Sequence, residues 1–210
     1  MQPNNAWRRE IYRASRLDTF RQYQSGQHFD GTEFTAADFV ERLTTRTESP
    51  AMAAGTAVHA VIEEAAFGEL PEETNRGGWH IVFDLDAELR LPAAREIPLY
   101  REHRGIPLFG RVDAIDANAV HDTKTTASIE VDRYMDSFQW RAYLWMSGRK
   151  SFVYDLLRVK VEADIQVVTV LEYVRLPLTA YPGLARDVES LLEEYDAAIR
   201  ALSIGEAMAA

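Results

Sequence analysis

The sequence predicts a single α/β domain in which a central mixed, mainly antiparallel β-sheet is flanked by helices. Three observations carry this. The 210 residues are 47% hydrophobic, enough for one full core and marginal for two. Helical periodicity comes first, then several period-two runs, then helix, strands and helix again, which is the order of an α/β fold. No internal repeat and no low-complexity linker divides the chain. One domain over 1–210 is therefore expected, with an Arg-rich N-terminal helical arm over about 1–30 and a tail over about 203–210 that frays.

The first 25 residues hold five arginines, Arg8, Arg9, Arg13, Arg16 and Arg21. They read as a polar helix or arm, either a solvated face or a phosphate-contacting one. FTAADFVERL (34–43) has a Thr start and a helical pattern. The clearest helix is 52–69, where Val58, Val61, Ile62, Ala65 and Ala66 form one stripe. Gly77–Gly78 punctuates. Strands are expected over 79–85, 95–102, 107–116 and 119–126, the last two joined as a hairpin through Asp116, Ala117 and Asn118. A helix over about 132–147, strands over 151–159 and 165–176, and a helix over about 181–202 complete the chain.

Composition excludes several classes. Without cysteine there is no disulfide, thiolate zinc site or cysteine-ligated iron–sulfur cluster. No run of eighteen apolar residues suggests a membrane span, and the first residues lack the apolar stretch of a signal peptide, so a cytoplasmic location is expected. The net charge of −10 counts against simple nucleic-acid binding, although bound divalent cations reverse the sign of an acidic site.

The chemistry concentrates in the hairpin. Alternation along a strand places Phe109, Arg111, Asp113 and Ile115 on one face, and Val120, Asp122 and Lys124 on one face of the next strand. Across a short turn, Asp113 and Asp122 can converge with Lys124 beside them. Strand interiors disfavour Asp and Lys, and a broken local rule often marks function. Two carboxylates can hold Mg²⁺ or Mn²⁺. The lysine can orient water, deprotonate it if its pKa is depressed, or stabilise charge as a cation. A cross-strand salt bridge on an exposed face explains the same three residues, and they leave both readings open. Gly55, His59 and Glu63 lie along the shoulder of the helix stripe, which makes His59 a candidate third ligand. Gln139 and Tyr143 share a face of the later helix.

Four pieces occur in order: GTAVHAVIE (55–63), GRVD (110–113), DTKT (122–125) and QWRAY (139–143). The set resembles RecB-like nucleases of the PD-(D/E)XK superfamily, over roughly residues 52–146. An Asp-x-Lys alone occurs by chance in many chains; the ordered four are specific. The resemblance implies a restriction-endonuclease-like core. It implies that His59, Asp113, Asp122 and the Thr123 carbonyl bind Mg²⁺ or Mn²⁺, that Lys124 is the catalytic lysine, and that Gln139 and Tyr143 lie near the active site and DNA. Glu63 matches the helix motif, and Glu96 is similar to a recurrent family acid. The iron–sulfur cluster of some relatives is ruled out. Asp122 stands where Glu is commoner, and the proline usual before the first acid is absent. No phosphate-binding Gly-x4-Gly-Lys loop is present, so no helicase motor is expected.

The implied function is metal-dependent hydrolysis of DNA, from ends, in phage or bacterial recombination, repair or defence. A homo-oligomer or a recombination or helicase partner would add grip on DNA. Two rivals stand: an inactive module of the same fold that binds DNA or serves assembly, and an HD-type phosphohydrolase built on His121–Asp122, which needs its ligands on helices and His121 facing the metal.

Overall fold

The computed structural model describes residues 6–28, 31–45, 47–65, 69–86, 89 and 94–204. Ala66, the first five residues of the Arg-rich segment and the tail from 205 onward lie outside the described residues. In chain order the helices are α1 (Ala6–Ile11), α2 (Arg16–Ser25), α3 (Ala36–Thr44), α4 (Pro50–Glu64), α5 (Val131–Asp136), α6 (Phe138–Ser147) and α7 (Leu184–Ala201). The strands are β1 (Glu73–Arg76), β2 (Trp79–Phe83), β3 (Ala94–His103), β4 (Ile106–Ile115), β5 (Ala119–Thr126), β6 (Ser151–Glu162) and β7 (Val167–Thr179).

One seven-stranded sheet runs in the order β1-β2-β7-β6-β5-β4-β3. The β2–β7 and β5–β6 pairs are parallel and the others antiparallel, so the sheet is mixed and mainly antiparallel, as the sequence predicts. β6 is buried continuously from Phe152 to Leu157, the mark of a strand covered on both faces. Leu156 packs into the larger core with α2, α6 and α7; Leu157, one residue on, packs into a second core under α4. The α4 stripe of Val58, Val61 and Ile62 closes that second core against Ile81, Val168 and Val170.

Local signals set several boundaries. Ser49 caps α4 by accepting from the Met52 N–H, with Pro50 at the first turn where its missing N–H costs nothing. Thr35 and Asp38 form a reciprocal capping box on α3. Two departures from expectation have tertiary causes. Gly77 and Gly78, both at positive φ, turn a hairpin whose first strand, β1, is too polar and exposed to show a strand pattern. The helix expected over 132–147 is two helices, broken at Ser137. There Asp18, from α2, accepts from the Ser137 hydroxyl (2.6 Å) and the Phe138 N–H (2.5 Å), so a carboxylate 119 residues away starts a new helix.

The Arg-rich segment is part of the core. Ile11, Tyr12, Ala14, Leu17 and Phe20 are buried. Tyr12 donates to Asp196 (2.6 Å) and Tyr195 donates to the Ile11 carbonyl (2.7 Å), tying the segment to α7.

Candidate active site

β4 and β5 begin as a hairpin. Asp116 Oδ1 accepts from the Asn118 and Ala119 N–H groups (both 2.7 Å), and Ile115 pairs with Val120 and Ala114 with His121. There the ladder stops and the strands fork. Asp113 would face Asp122 at the next position; instead Asp113 Oδ2 accepts the Thr123 N–H at 2.6 Å. A residue's N–H and C=O point to the same strand edge, so the Thr123 carbonyl also faces the fork. Further along β4 the edge vacated by β5 is taken by the N-terminal segment: Phe109 donates to the Tyr12 carbonyl and accepts from the Ala14 N–H, both at 2.8 Å.

The expected alternation along β4 does not hold through Asp113. Val112 and Ile115, three apart, both pack on the larger core, while Asp113 and Ala114 line a cavity under α4. On the neighbouring strand the ladder skips Glu96, which has a φ of 55°. Glu96 and Asp113 stand opposite each other in this register, and both are left out of the ladder.

Asp122 is 2% exposed. Lys124 Nζ lies 2.7 Å from its Oδ2, but off the hydrogen-bonding direction, so that oxygen is close to a cation and has no directional donor. Burial raises the Asp122 pKa and Asp113 adds to it, against the pull of Lys124, leaving it at about 6. Burial opposes the Lys124 ammonium, but the Asp122 carboxylate outweighs it and holds the lysine above its usual range. With no metal ion on these carboxylates, the surroundings of Lys124 favour its ammonium form. Gln139 donates to Tyr143 (3.0 Å), and Tyr143 donates to the Arg111 carbonyl (3.1 Å), so the α6 pair is anchored to β4 two residues before Asp113. Gly110 makes room: a Cβ there would sit 2.7 Å from the Tyr143 ring.

On the other side of the fork, a cavity of about 20 Å³, room for one water-sized group, is lined by His59, Glu63, Asp113, His121 and Thr123. His59 Nδ1 is 3.7 Å from Asp113 Oδ2. Burial, then Lys124, lowers the His59 pKa, favouring the neutral imidazole that can ligate. Burial raises Asp113. Glu96 is pushed up to about 7 by burial and by the hydrogen bond and charge of Glu63, although Arg111 Nε lies 2.6 Å away. Gly55 brings α4 against β5: a Cβ there would lie 2.6 Å from Thr125 Oγ1. His59, Glu63, Asp113 and Thr123 thus share one cavity, Lys124 lies on Asp122, Glu96 is bonded to Glu63, and Gln139 reaches β4 only through Tyr143.

Among the described residues no three His, Asp or Glu side chains are gathered as a ready-made metal cage. The donor set nevertheless fits a hard divalent cation. It offers two carboxylates with raised pKa, one with an oxygen lacking a directional donor, beside a neutral imidazole and a strand-edge carbonyl.

Sequence reasoning missed the cluster behind the fork. His121, 2% exposed, meets Asp155 Oδ2 through Nδ1 (3.2 Å) and Asp116 Oδ2 through Nε2 (3.1 Å), and Tyr173 donates to Asp155 Oδ1 (2.5 Å). Both ring nitrogens are occupied. With residues 119–126 in a strand, the HD-type arrangement is absent. A lone Asp in the apolar run SFVYDLLRV was the one signal available for Asp155.

No family model and no curated protein matches the chain. Solved structures do match its fold. An alkaline exonuclease (LHK-Exo) from Laribacter hongkongensis aligns over 99% of this chain and 100% of its own, with a TM-score of 0.50 and 15% identity. The same enzyme in complex with dAMP gives 0.51 and 14% over 97% and 96%. A protein named as an exonuclease from Eubacterium rectale gives 0.56 and 13% over 98% and 88%. The chain shares the fold of these solved exonuclease structures.

Proposed function

We propose that this chain is a metal-dependent DNA nuclease that hydrolyses phosphodiester bonds from DNA ends. The observation that carries the proposal is the fork. There Asp113, Asp122, Lys124 and His59 meet where β4 and β5 separate, with one Asp122 oxygen left without a directional donor. Asp113, Asp122, His59 and the Thr123 carbonyl would hold Mg²⁺ or Mn²⁺, which supplies charge stabilisation on phosphate and acidifies a bound water. Lys124, as an ammonium, would position the attacking water and offset charge on the attacked phosphate. Gln139 and Tyr143 fix the α6 side of the site, and Glu63 with Glu96 borders its solvent side.

End preference draws support from the three structures reported above, each named as an exonuclease, which agree in fold over nearly the whole chain. Recombination, repair or defence, in a phage or a bacterium, is the setting such chemistry suits. The charge of −10 favours a homo-oligomer or partner protein that adds grip on DNA. An inactive binding module draws on one observation, the lack of a gathered ligand trio among the described residues.

The experiment is direct. Purified protein with Mg²⁺ or Mn²⁺ is given end-labelled linear DNA and closed circles. Loss of nucleotides from linear ends, abolished by Lys124→Ala and Asp113→Ala, is expected. Rapid cutting of closed circles would sink the end preference, and inactivity of folded protein across metals and DNA forms would favour the module.

A further inference from the structure

We infer that Tyr154, backed by Ser137 and Asp18, is a positioning residue for Lys124: its phenol oxygen accepts from the Lys124 ammonium once Asp122 serves as a ligand. This rests on the nuclease reading above. Tyr154 is the β6 partner of Asp122 in the parallel ladder, and Leu156 is the partner of Lys124. Side chains in register on neighbouring strands share a face, and Tyr154 and Leu156 both pack into the larger core. The Asp122 and Lys124 side chains therefore leave β5 on that face, while His121, Thr123 and Asp155 line the cavity on the opposite one.

The direction of the hydrogen bonds is the first support. Ser137 Oγ has one proton and three partners: Asp18 Oδ2 at 2.6 Å, the Gln139 N–H at 3.1 Å and the Tyr154 hydroxyl at 3.2 Å. A carboxylate only accepts and a backbone N–H only donates. Ser137 therefore donates to Asp18, and Tyr154 donates its single proton to Ser137. The phenol keeps its lone pairs, which suit an ammonium. Burial raises the Asp18 pKa, but the bonds from Ser137, Phe138 and Gln139 and the charge of Lys124 act against it.

Need is the second. Asp18 and Ser137 cap α6 without help from Tyr154. The Tyr154 ring, 5.3 Å from that of Tyr134 and 4.7 Å from that of Phe152, would pack equally well with no hydroxyl. Nothing in the fold requires that oxygen. Lys124 meanwhile has three N–H donors, and Asp122 Oδ2, 2.7 Å away, lies off the hydrogen-bonding direction.

Reach is the third. Burial raises the Tyr154 pKa, the Asp122 charge adds to it and Lys124 opposes it, so the phenol lies in the field of both. Tyr143 feels the same pair, but its proton goes to the Arg111 carbonyl and its oxygen already accepts from Gln139. Among the described residues, Tyr154 is the one of these two phenols whose oxygen accepts nothing.

The test records the ammonium signals of ¹⁵N-lysine protein in Mg²⁺, beside DNA cleavage kinetics. The chain has three lysines, of which Lys150 and Lys160 are exposed; the Lys124 signal is the one lost in Lys124→Arg. Tyr154→Phe removes the acceptor and keeps the ring. Asp18→Asn reverses the chain: its amide donates to Ser137, Ser137 then donates to Tyr154, and the phenol turns its proton toward Lys124. Each variant should shift the Lys124 signal alone. Each should lower kcat about tenfold to a hundredfold, with KM changed less than about threefold. On the Tyr154→Phe background Asp18→Asn should add nothing, whereas a through-space effect of the Asp18 charge would persist. A Lys124 signal that neither substitution moves, or kcat losses that multiply in the double variant, overturns the assignment. A moved signal in folded protein that cuts nothing upholds the contact and overturns the nuclease reading alone.

Discussion

Residues 121 and 122 adjoin on one strand and are equally buried, yet their surroundings are opposite. His121 is clamped by Asp155 and Asp116, and Asp155 has Tyr173 on its second oxygen. Burial pulls the His121 pKa down, but its two carboxylates raise it above the usual value, so the charges in that cluster stabilise each other. Asp122 has a cation without a directional hydrogen bond, and burial and then Asp113 push against its charge. A buried polar cluster with every partner in place rigidifies a fold. One left short is costly, and it persists where something else completes it. The difference separates scaffold from site on adjacent residues.

The sharpest way to break this comparison is Asp113→Ala. Activity should fall by about a thousandfold or more, while stability falls by no more than about 1–3 kcal/mol, because the relief of a carboxylate penalised by burial partly offsets the loss of the acceptor for the Thr123 N–H. A large loss of Tm with modest loss of activity would reverse the assignment. His121→Ala should do the opposite. It leaves the Asp155 Oδ2 in the interior without its partner and costs about 3 kcal/mol in urea unfolding, while activity per folded molecule changes by less than about tenfold.

Gly110→Ala is next. Its Cβ would meet the Tyr143 ring and Met146 at 2.7 and 2.8 Å, and overpacking against a rigid ring costs about 1–3 kcal/mol. Activity should fall with it as Tyr143 leaves the Arg111 carbonyl. Gly55→Ala offers the smaller contrast. Its Cβ meets only the Thr125 hydroxyl, which can rotate, and the helix gains about 1 kcal/mol in propensity, so unfolding should shift by less than about 1 kcal/mol.

Proton linkage gives the smallest effect. Glu96 and Asp122 have folded pKa values raised to about 7 and about 6. An acid whose folded pKa is raised is penalised when ionised, so stability lost above about pH 7 returns as pH falls toward 5. Asp38, lowered chiefly by its bonds to Thr35, and Glu193, lowered by His103, lose their contribution only as pH falls further. Metal-free protein should therefore melt higher near pH 5.5 than near pH 8, and saturating Mn²⁺ should flatten the difference. A Tm that rises with pH over that window would show the acids at the fork to be satisfied like Asp155.

The sequence by itself determined the classes of element and the chemistry they carry. The α4 stripe, the strands around 107–126 and the set from His59 to Tyr143 are legible because residue type and period are local properties. Asp113, Asp122 and Lys124 stood out because strands disfavour them. Tertiary structure alone decided how these residues meet. The alternation predicted for Asp113 fails at the one register position where its partner on a different strand, Glu96, is at positive φ and unpaired. The break at Ser137 comes from Asp18, and the partners of His121 come from β6 and β7. No window of sequence contains both ends of such contacts. Beyond the fork, finally, the chain's own N-terminal segment bonds the N–H and C=O of Phe109, a pairing that only the tertiary structure supplies.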